Sequence, residues 1–175
     1  MNLIVAADKN WGIGFNGKTL VNIPADRRMF REETTGKVVV MGRRTLESLP
    51  GGQPLANRTN IVLSADPQFK VKGAVICRSL KEALAECAKY KDEEIFVAGG
   101  QEIYQQFLPY CDIAHVTYID YAYEADTYFP DLDKDPEWVM MAESEEQTSF
   151  DLCYTFRMYC RKTSVKKALK LLKGG

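Results

Sequence analysis

EEIFVAGGQEIYQQFLPY, residues 93–110, compresses a strand, a glycine turn and a helix into one short segment. Ile95 to Val97 form the apolar run of a buried strand, Gly99 and Gly100 break it, and QEIYQQFLPY reads as helix. The segment KVVVMGRRTLESL (37–49) repeats the plan, with a strand, Gly42, then a short helix opening on Arg43, Arg44 and Thr45. A strand–glycine–helix junction points free backbone N–H groups past the C-terminal edge of a sheet. Such groups favour phosphate, and neighbouring arginines strengthen the attraction. Neither junction is a GxGxxG fingerprint or a Walker loop.

The surrounding chain follows the same alternation. NLIVAA (2–7) is a buried strand, and residues 8–23, with three glycines and no period, read as a long functional loop. PADRRMFREETTG starts a helix at Pro24 and ends at Gly36. TNIVLS, AVICR, IAHVTYIDY and FDLCYTFRMYCRK read as strands, and SLKEALAECAKY (79–90) as a helix with Leu80, Ala83, Leu84 and Cys87 on one face. These elements predict a single α/β domain over residues 1–163: a mostly parallel sheet, helices on both faces, and an antiparallel C-terminal edge. Residues 164–175 form a basic amphipathic tail, with Ser164 as cap and Val165, Ala168, Leu169 and Leu172 on its apolar face. It fits a partner-binding or membrane-surface helix. The plainer reading, a helix docked on the body or fraying from it, is preferred because about ten residues are marginal alone.

Composition narrows the function. With 23 basic and 24 acidic residues the formal net charge is -1, which argues against general binding to nucleic acid or an anionic membrane. Five cysteines without a CxxC and a single histidine, His115, speak against a zinc site and fit a reducing compartment. The N-terminal segment lacks the basic stretch and apolar length of a signal peptide or membrane span, so a cytoplasmic protein is expected.

Asp26 stands out in LVNIPADRRMF (20–30), an acid among apolar neighbours. It fits two readings. One is a first-turn carboxylate favourable to the helix dipole. The other follows from its spacing to Met29 and Phe30, which puts it on the inward face. A carboxyl in an apolar cleft has a raised pKa and can pass a proton near neutrality.

The ordered motifs LIVAADKNWGIGFNG, IPADRRMF, VVVMGRRTLESLP, NRTNIVLS, FVAGGQEIYQQFLP, VTYID and ADTYFP resemble the dihydrofolate reductase family over residues 2 to about 162. The resemblance implies an eight-stranded sheet with about four helices, NADPH as cofactor, and reduction of 7,8-dihydrofolate to tetrahydrofolate in one-carbon metabolism. It implies that Asp26 is the ionisable group of the pteridine pocket and that Thr117 bonds it. Ile4 and Ala98 supply carbonyls to a pterin amino group, Phe30 packs on the pterin, and Leu49 and Leu55 wall the benzoyl group. Arg58 grips the glutamate α-carboxylate, and Ala6, Val21 and Arg27 complete the substrate side. On the cofactor side, Thr45, Gly99, Gly100, Gln101 and Ile103 match the pyrophosphate cradle, with a cis Gly99–Gly100 peptide. Arg44, Ser64 and Arg78 match the 2′-phosphate and adenosine contacts, and Tyr104 lies near the nicotinamide. Ala6, Ile13, Gly42, Arg43, Ser48, Leu63 and Glu102 fill out the cofactor site. Residues 8–23 become a mobile loop steadied by Asp126, and no metal is implied.

Three positions depart from the pattern. Val21 stands where the family usually has tryptophan, Arg27 where an apolar residue is usual, and Glu102 where some members carry arginine. The partners implied are the small-molecule substrate and antifolate inhibitors, bound by a monomer. Two alternatives remain: a pyrimidine reductase of the riboflavin pathway, against which Asp26 and Arg58 argue, and a catalytically weak relative that binds NADPH or pterin.

Overall fold

The computed structural model describes residues 1–174. The elements in chain order are β1 (Asn2–Asp8), β2 (Gly12–Phe15), β3 (Lys18–Thr19), α1 (Pro24–Thr34), β4 (Val38–Gly42), α2 (Arg43–Ser48), β5 (Thr59–Leu63), β6 (Ala74–Cys77) and α3 (Leu80–Cys87). They continue with β7 (Ile95–Val97), α4 (Gln101–Phe107), β8 (Ile113–Ile119), β9 (Thr127–Tyr128), β10 (Trp138–Glu143), β11 (Gln147–Ser149), β12 (Leu152–Arg161) and α5 (Val165–Gly174).

Eight strands form the main sheet in the order β10-β12-β8-β1-β7-β4-β5-β6, and β11 adds to β12. The pairs among β8, β1, β7, β4, β5 and β6 are parallel, while β12 runs antiparallel to both β8 and β10. This is the expected α/β sheet with its antiparallel C-terminal part. The C-terminal strands form one antiparallel edge of the sheet, with β10, a strand not read from the sequence, outside β12. Met140 is exposed and the ladder shifts register between Met140 and Ala142, so β10 lacks a clean alternation that a sequence reading can find.

Residues 8–23 are also more ordered than a loop. Strands β2 and β3 form a hairpin, and β2 pairs with β9 in a small separate sheet. Gly14 allows this pairing, since a Cβ there would sit 2.7 Å from Thr127 Oγ1.

The central strands are apolar because helices cover both faces. Leu3, Val39, Val40, Ile61, Val62 and Val97 have no exposed surface. Pro24 starts α1 and needs no N–H of its own there. Ser79 caps α3 by accepting the Glu82 amide at 3.2 Å. The C-terminal helix docks through its first turns. Ala168 is buried against Ile113 and Cys160, with Val165 packed beside them. Lys167 bridges Asp112 at 2.8 Å and Asp92 at 3.0 Å, and Asp92 also holds the N-terminal amine at 2.6 Å. Leu169 and Leu172, expected on the same apolar face, stay exposed.

Candidate active site

The site gathers at the C-terminal ends of β1, β4, β7 and β8, where parallel α/β sheets leave a crevice beyond the strands. Ala6 on β1 pairs with Thr117 on β8, and Thr117 Oγ1 donates to Asp26 Oδ1 at 2.6 Å. Helix α1 thus turns Asp26 inward, as its spacing to Phe30 predicts. Burial raises the Asp26 carboxyl above the ordinary aspartate value, and the Thr117 hydrogen bond offsets part of that rise. Ala6 and Val21 pack on the apolar group formed by Ile23, Ile119 and Tyr154.

Tyr104, fully enclosed on α4, donates its hydroxyl to the Ile4 carbonyl at 2.7 Å. Desolvation pushes its phenol far up, and the nearby Asp26 charge adds to the shift. Tyr104 is therefore a neutral donor, and it ties α4 to the strand that carries Ala6. Ile13 and Leu63 pack on the apolar cluster that holds Ile103 and Tyr104.

The two glycine junctions meet. Gly42 N donates to Gly99 O at 2.9 Å, and Ala98 N donates to Val40 O at 2.9 Å. The Gly99–Gly100 peptide is cis, and Gly99 has φ +106°. A Cβ on Gly99 would stand 2.9 Å from the Tyr104 ring, and one on Gly42 would stand 3.1 Å from Ile103. Across this cradle Thr45 Oγ1 lies 4.0 Å from where a Gly100 Cβ would be. Backbone can approach a ligand here only because both positions lack side chains. Gln101 faces the other way in part, accepting the Tyr128 amide at 2.6 Å and so tying α4 to β9. Ser48 donates to the Thr45 carbonyl at 2.6 Å, and Glu102 is exposed.

Several residues expected along the substrate's tail pack together. Phe30, Leu49, Leu55 and Ala98 pack on one apolar group with Met41 and Leu46. Arg58 lies over the Phe30 ring at 5.9 Å and is held by Thr34 Oγ1 at 3.2 Å and the Ala56 carbonyl at 2.9 Å. Burial, then the nearby Arg31 charge, lowers the Arg58 pKa. Two guanidiniums near enough to interact favour a carboxylate ligand. Arg27 is exposed one turn before Arg31.

The expected phosphate arginines divide. Arg44 is exposed, and among the described residues it makes no hydrogen bond or ion pair. Arg43 is bonded to Glu47 at 3.2 Å and Asp66 at 3.1 Å, and lies over the Phe69 ring. Arg78 spends its guanidinium on backbone, donating to the carbonyls of Asp66 at 2.5 Å, Phe69 at 3.0 Å, Pro67 at 3.4 Å and Ser64 at 3.5 Å. An arginine free to grip a phosphate is not what the structure shows at Arg78. It holds the turn that carries Ser64, whose hydroxyl accepts the Asp66 amide at 3.3 Å.

Asp8 was not visible as a site residue from sequence. It is fully buried at the end of β1 and accepts three backbone N–H groups, two from the 9–19 loop and one from Tyr123. The available signal was an acid closing the apolar run NLIVAAD. Asp126, expected to steady this loop, accepts the Asn16 amide through Oδ2 at 3.0 Å.

A family model described as dihydrofolate reductase matches residues 1–161. The chain is 35% identical over 170 residues to the dihydrofolate reductase of Bacillus subtilis (strain 168), covering 95% of this chain and 97% of that one. It is 42% identical over 134 residues to dihydrofolate reductase type 3 of Salmonella typhimurium, covering 75% and 78%. Among solved structures, the Enterococcus faecalis dihydrofolate reductase, complexed with NADP(H) and RAB-propyl, superposes with a TM-score of 0.81 at 32% identity, covering 92% of this chain and 95% of that one. With matches that span nearly the whole chain, on a fold that brings Asp26, Thr117 and the paired glycine junctions to one crevice, the chain belongs to the dihydrofolate reductase family.

Proposed function

We propose that Asp26, held by Thr117, is the acid that promotes protonation of the substrate in this NADPH-dependent dihydrofolate reductase. The Asp26–Thr117 hydrogen bond in a buried crevice carries the reading. Reduction of 7,8-dihydrofolate needs a proton at N5 and a hydride at C6. When bound, NADPH supplies the hydride. The residues of this chain do the rest. A desolvated Asp26 hydrogen-bonds the N3 and 2-amino edge of the pterin and favours the N5-protonated form. Thr117 fixes which carboxylate oxygen stays free. The Ile4 and Ala98 carbonyls orient the ring, with Tyr104 OH fixing the Ile4 carbonyl from behind.

Phe30, Leu49 and Leu55 exclude water along the benzoyl group, and Arg58 takes the tail carboxylate as a charge-assisted pair. Gly42, Thr45, Gly99, Gly100, Gln101 and Ile103 would hold the pyrophosphate of NADPH. A cradle that a Cβ would fill supports that fit. Arg44, free at the surface, is the residue we assign to the 2′-phosphate, with Ser64 beside it on the turn that Arg78 organises. Ile13, Ala6 and Tyr104 would bound the nicotinamide.

Val21 brings no N–H donor where the family usually has tryptophan, so the proton path near Asp26 relies on Asp26 and Thr117 alone among the residues named here. We also propose a monomer working in a reducing, cytoplasmic setting. Five free cysteines support the compartment, and no described helix is long and apolar enough to cross a membrane.

The deciding experiment is loss of NADPH absorbance with dihydrofolate, against no substrate and against a ribosylated pyrimidine. Oxidation only with dihydrofolate is the expected result. Oxidation only with the pyrimidine would overturn the folate reading.

A further inference from the structure

Beside the backbone pairing of β2 with β9, two carboxylates clasp the 9–19 loop, and the two differ. At its tip Asp126 meets the Asn16 amide at an exposed position. At its root the clasp is Asp8, with no exposed surface. Asp8 Oδ1 accepts from Gly12 N at 2.8 Å and Asn10 N at 2.9 Å, while Oδ2 accepts from Tyr123 N at 2.9 Å. One carboxylate thus joins the end of β1, the turn before β2 and the 121–124 segment leading toward β9. Among the described residues no Lys, Arg or His pairs with it, so three backbone dipoles carry the compensation of a buried charge.

The surroundings reinforce the clasp. Trp11 N donates to Asp8 O at 2.9 Å, Trp11 has φ +61°, and its ring stacks on Phe129 at 5.9 Å. Phe129 N donates back to Trp11 O at 2.8 Å. Gly12 sits where the two segments touch: a Cβ there would lie 2.7 Å from Ala125 Cβ and 3.1 Å from Asp8 Oδ1. Asp8 is two residues from Ala6, and Gly12 adjoins Ile13, the residues assigned above to the nicotinamide side.

We propose that Asp8 is a positioning residue for hydride transfer: its carboxylate locks the root of the 9–19 loop to the 121–124 segment and so sets Ile13 and the end of β1 against the reacting rings. Two acceptor oxygens are needed because the donors approach from two segments. Asparagine keeps one acceptor and presents an NH₂ where the other N–H arrives, so one side of the clasp opens. The inference rests on the reductase reading, which wild-type turnover tests separately: wild-type enzyme that fails to oxidise NADPH with dihydrofolate removes both.

The test is single-turnover hydride transfer by Asp8→Asn and Gly12→Ala, with dihydrofolate affinity, melting temperature and the pH profile measured alongside. Gly12→Ala keeps the carboxylate but wedges the same two segments apart. Both variants should slow hydride transfer by about tenfold or more, the cost of a small misplacement at a reacting centre. Dihydrofolate affinity should stay within about threefold, because Asp26, Phe30, Leu49, Leu55, Arg58, Ala98 and Thr117 lie outside the clasped segments and Ile4 sits well inside β1. The midpoint of the pH profile should stay at its wild-type position, because Asp8 acts through geometry. Variants that melt lower yet transfer hydride within about twofold of wild type, well below melting, would show a purely structural acid. A shifted midpoint would show that Asp8 alters the proton step directly. Either result overturns the proposal.

Discussion

At Asp26 two influences oppose each other. Burial raises the carboxyl, Thr117 lowers it, and burial wins. The sign fixes two outcomes for Asp26→Asn. Hydride transfer at pH 7 should fall by about 10²–10⁴-fold, the range for a positioned acid, and recover as pH falls and solvent protonates the substrate. Stability should move the other way. A raised folded pKa means the folded chain holds its proton to higher pH than the unfolded chain. The stabilising contribution is complete below the unfolded value and is lost as pH rises through the folded one. As pH rises through the folded value the wild type comes to carry a desolvated charge that asparagine never acquires. The variant should melt higher than wild type at pH 7, and the gap should close below about pH 4. A rate within threefold of wild type at pH 7 would return Asp26 to a helix-dipole role. The sequence placed Asp26 inward because helical spacing survives folding. It could not place Arg78. The carbonyls that this side chain grips belong to an irregular turn, Asp66 to Phe69, which has no period to read.

Most elements were legible for the same reason. β1, β4, β5, β7 and β8 are apolar runs because both sheet faces are covered, and α1 and α3 carry their stop and start residues in the chain. The missed strands β9, β10 and β11 are short or part-exposed, and long-range pairing rather than local pattern makes them strands. Two predictions belong at this scale. Arg78 holds the turn after β5, so Arg78→Gln should lower stability by roughly 1–3 kcal/mol, about 2–12 °C for a domain of this size. It should weaken NADPH and NADH alike. Selective loss of NADPH would restore the phosphate role expected from sequence. On α1, Arg27 and Arg31 lie one turn apart, and Arg31 is close enough to Arg58 to depress it. Arg27→Leu should weaken dihydrofolate binding by up to about fivefold, the scale of an exposed, salt-screened ion pair. Small diaminopyrimidine inhibitors lack the tail carboxylates and should be unaffected. An equal loss for both compound classes would remove Arg27 from the tail site.

Across the whole molecule the net charge of -1 hides local basic positions: Arg31 is near enough to Arg58 to depress it, and Arg44 is exposed and makes no ion pair among the described residues. The glycine cradle we assign to the cofactor joins β4 to β7 at the centre of the sheet, through the Gly42–Gly99 bond. A ligand bound there stabilises the folded state by linkage. At about 100 times its dissociation constant, NADPH should contribute about 2.7 kcal/mol, a rise in melting temperature of roughly 5–11 °C at 2–4 °C per kcal/mol. A single charged hydrogen bond to the 2′-phosphate contributes roughly 1.5–3 kcal/mol, so loss of Arg44 should weaken NADPH at least tenfold. At the same NADPH concentration Arg44→Ala should therefore show about half the wild-type rise or less. The melting temperature without ligand should not move, because Arg44 is exposed and unpaired among the described residues. NADH has no 2′-phosphate, so its smaller effect should be the same in wild type and variant. The measurement is thermal melting with and without each nucleotide, and it needs no turnover. If the two proteins respond identically to NADPH, Arg44 does not meet the phosphate, and discrimination between the nucleotides must come from the Ser64 turn.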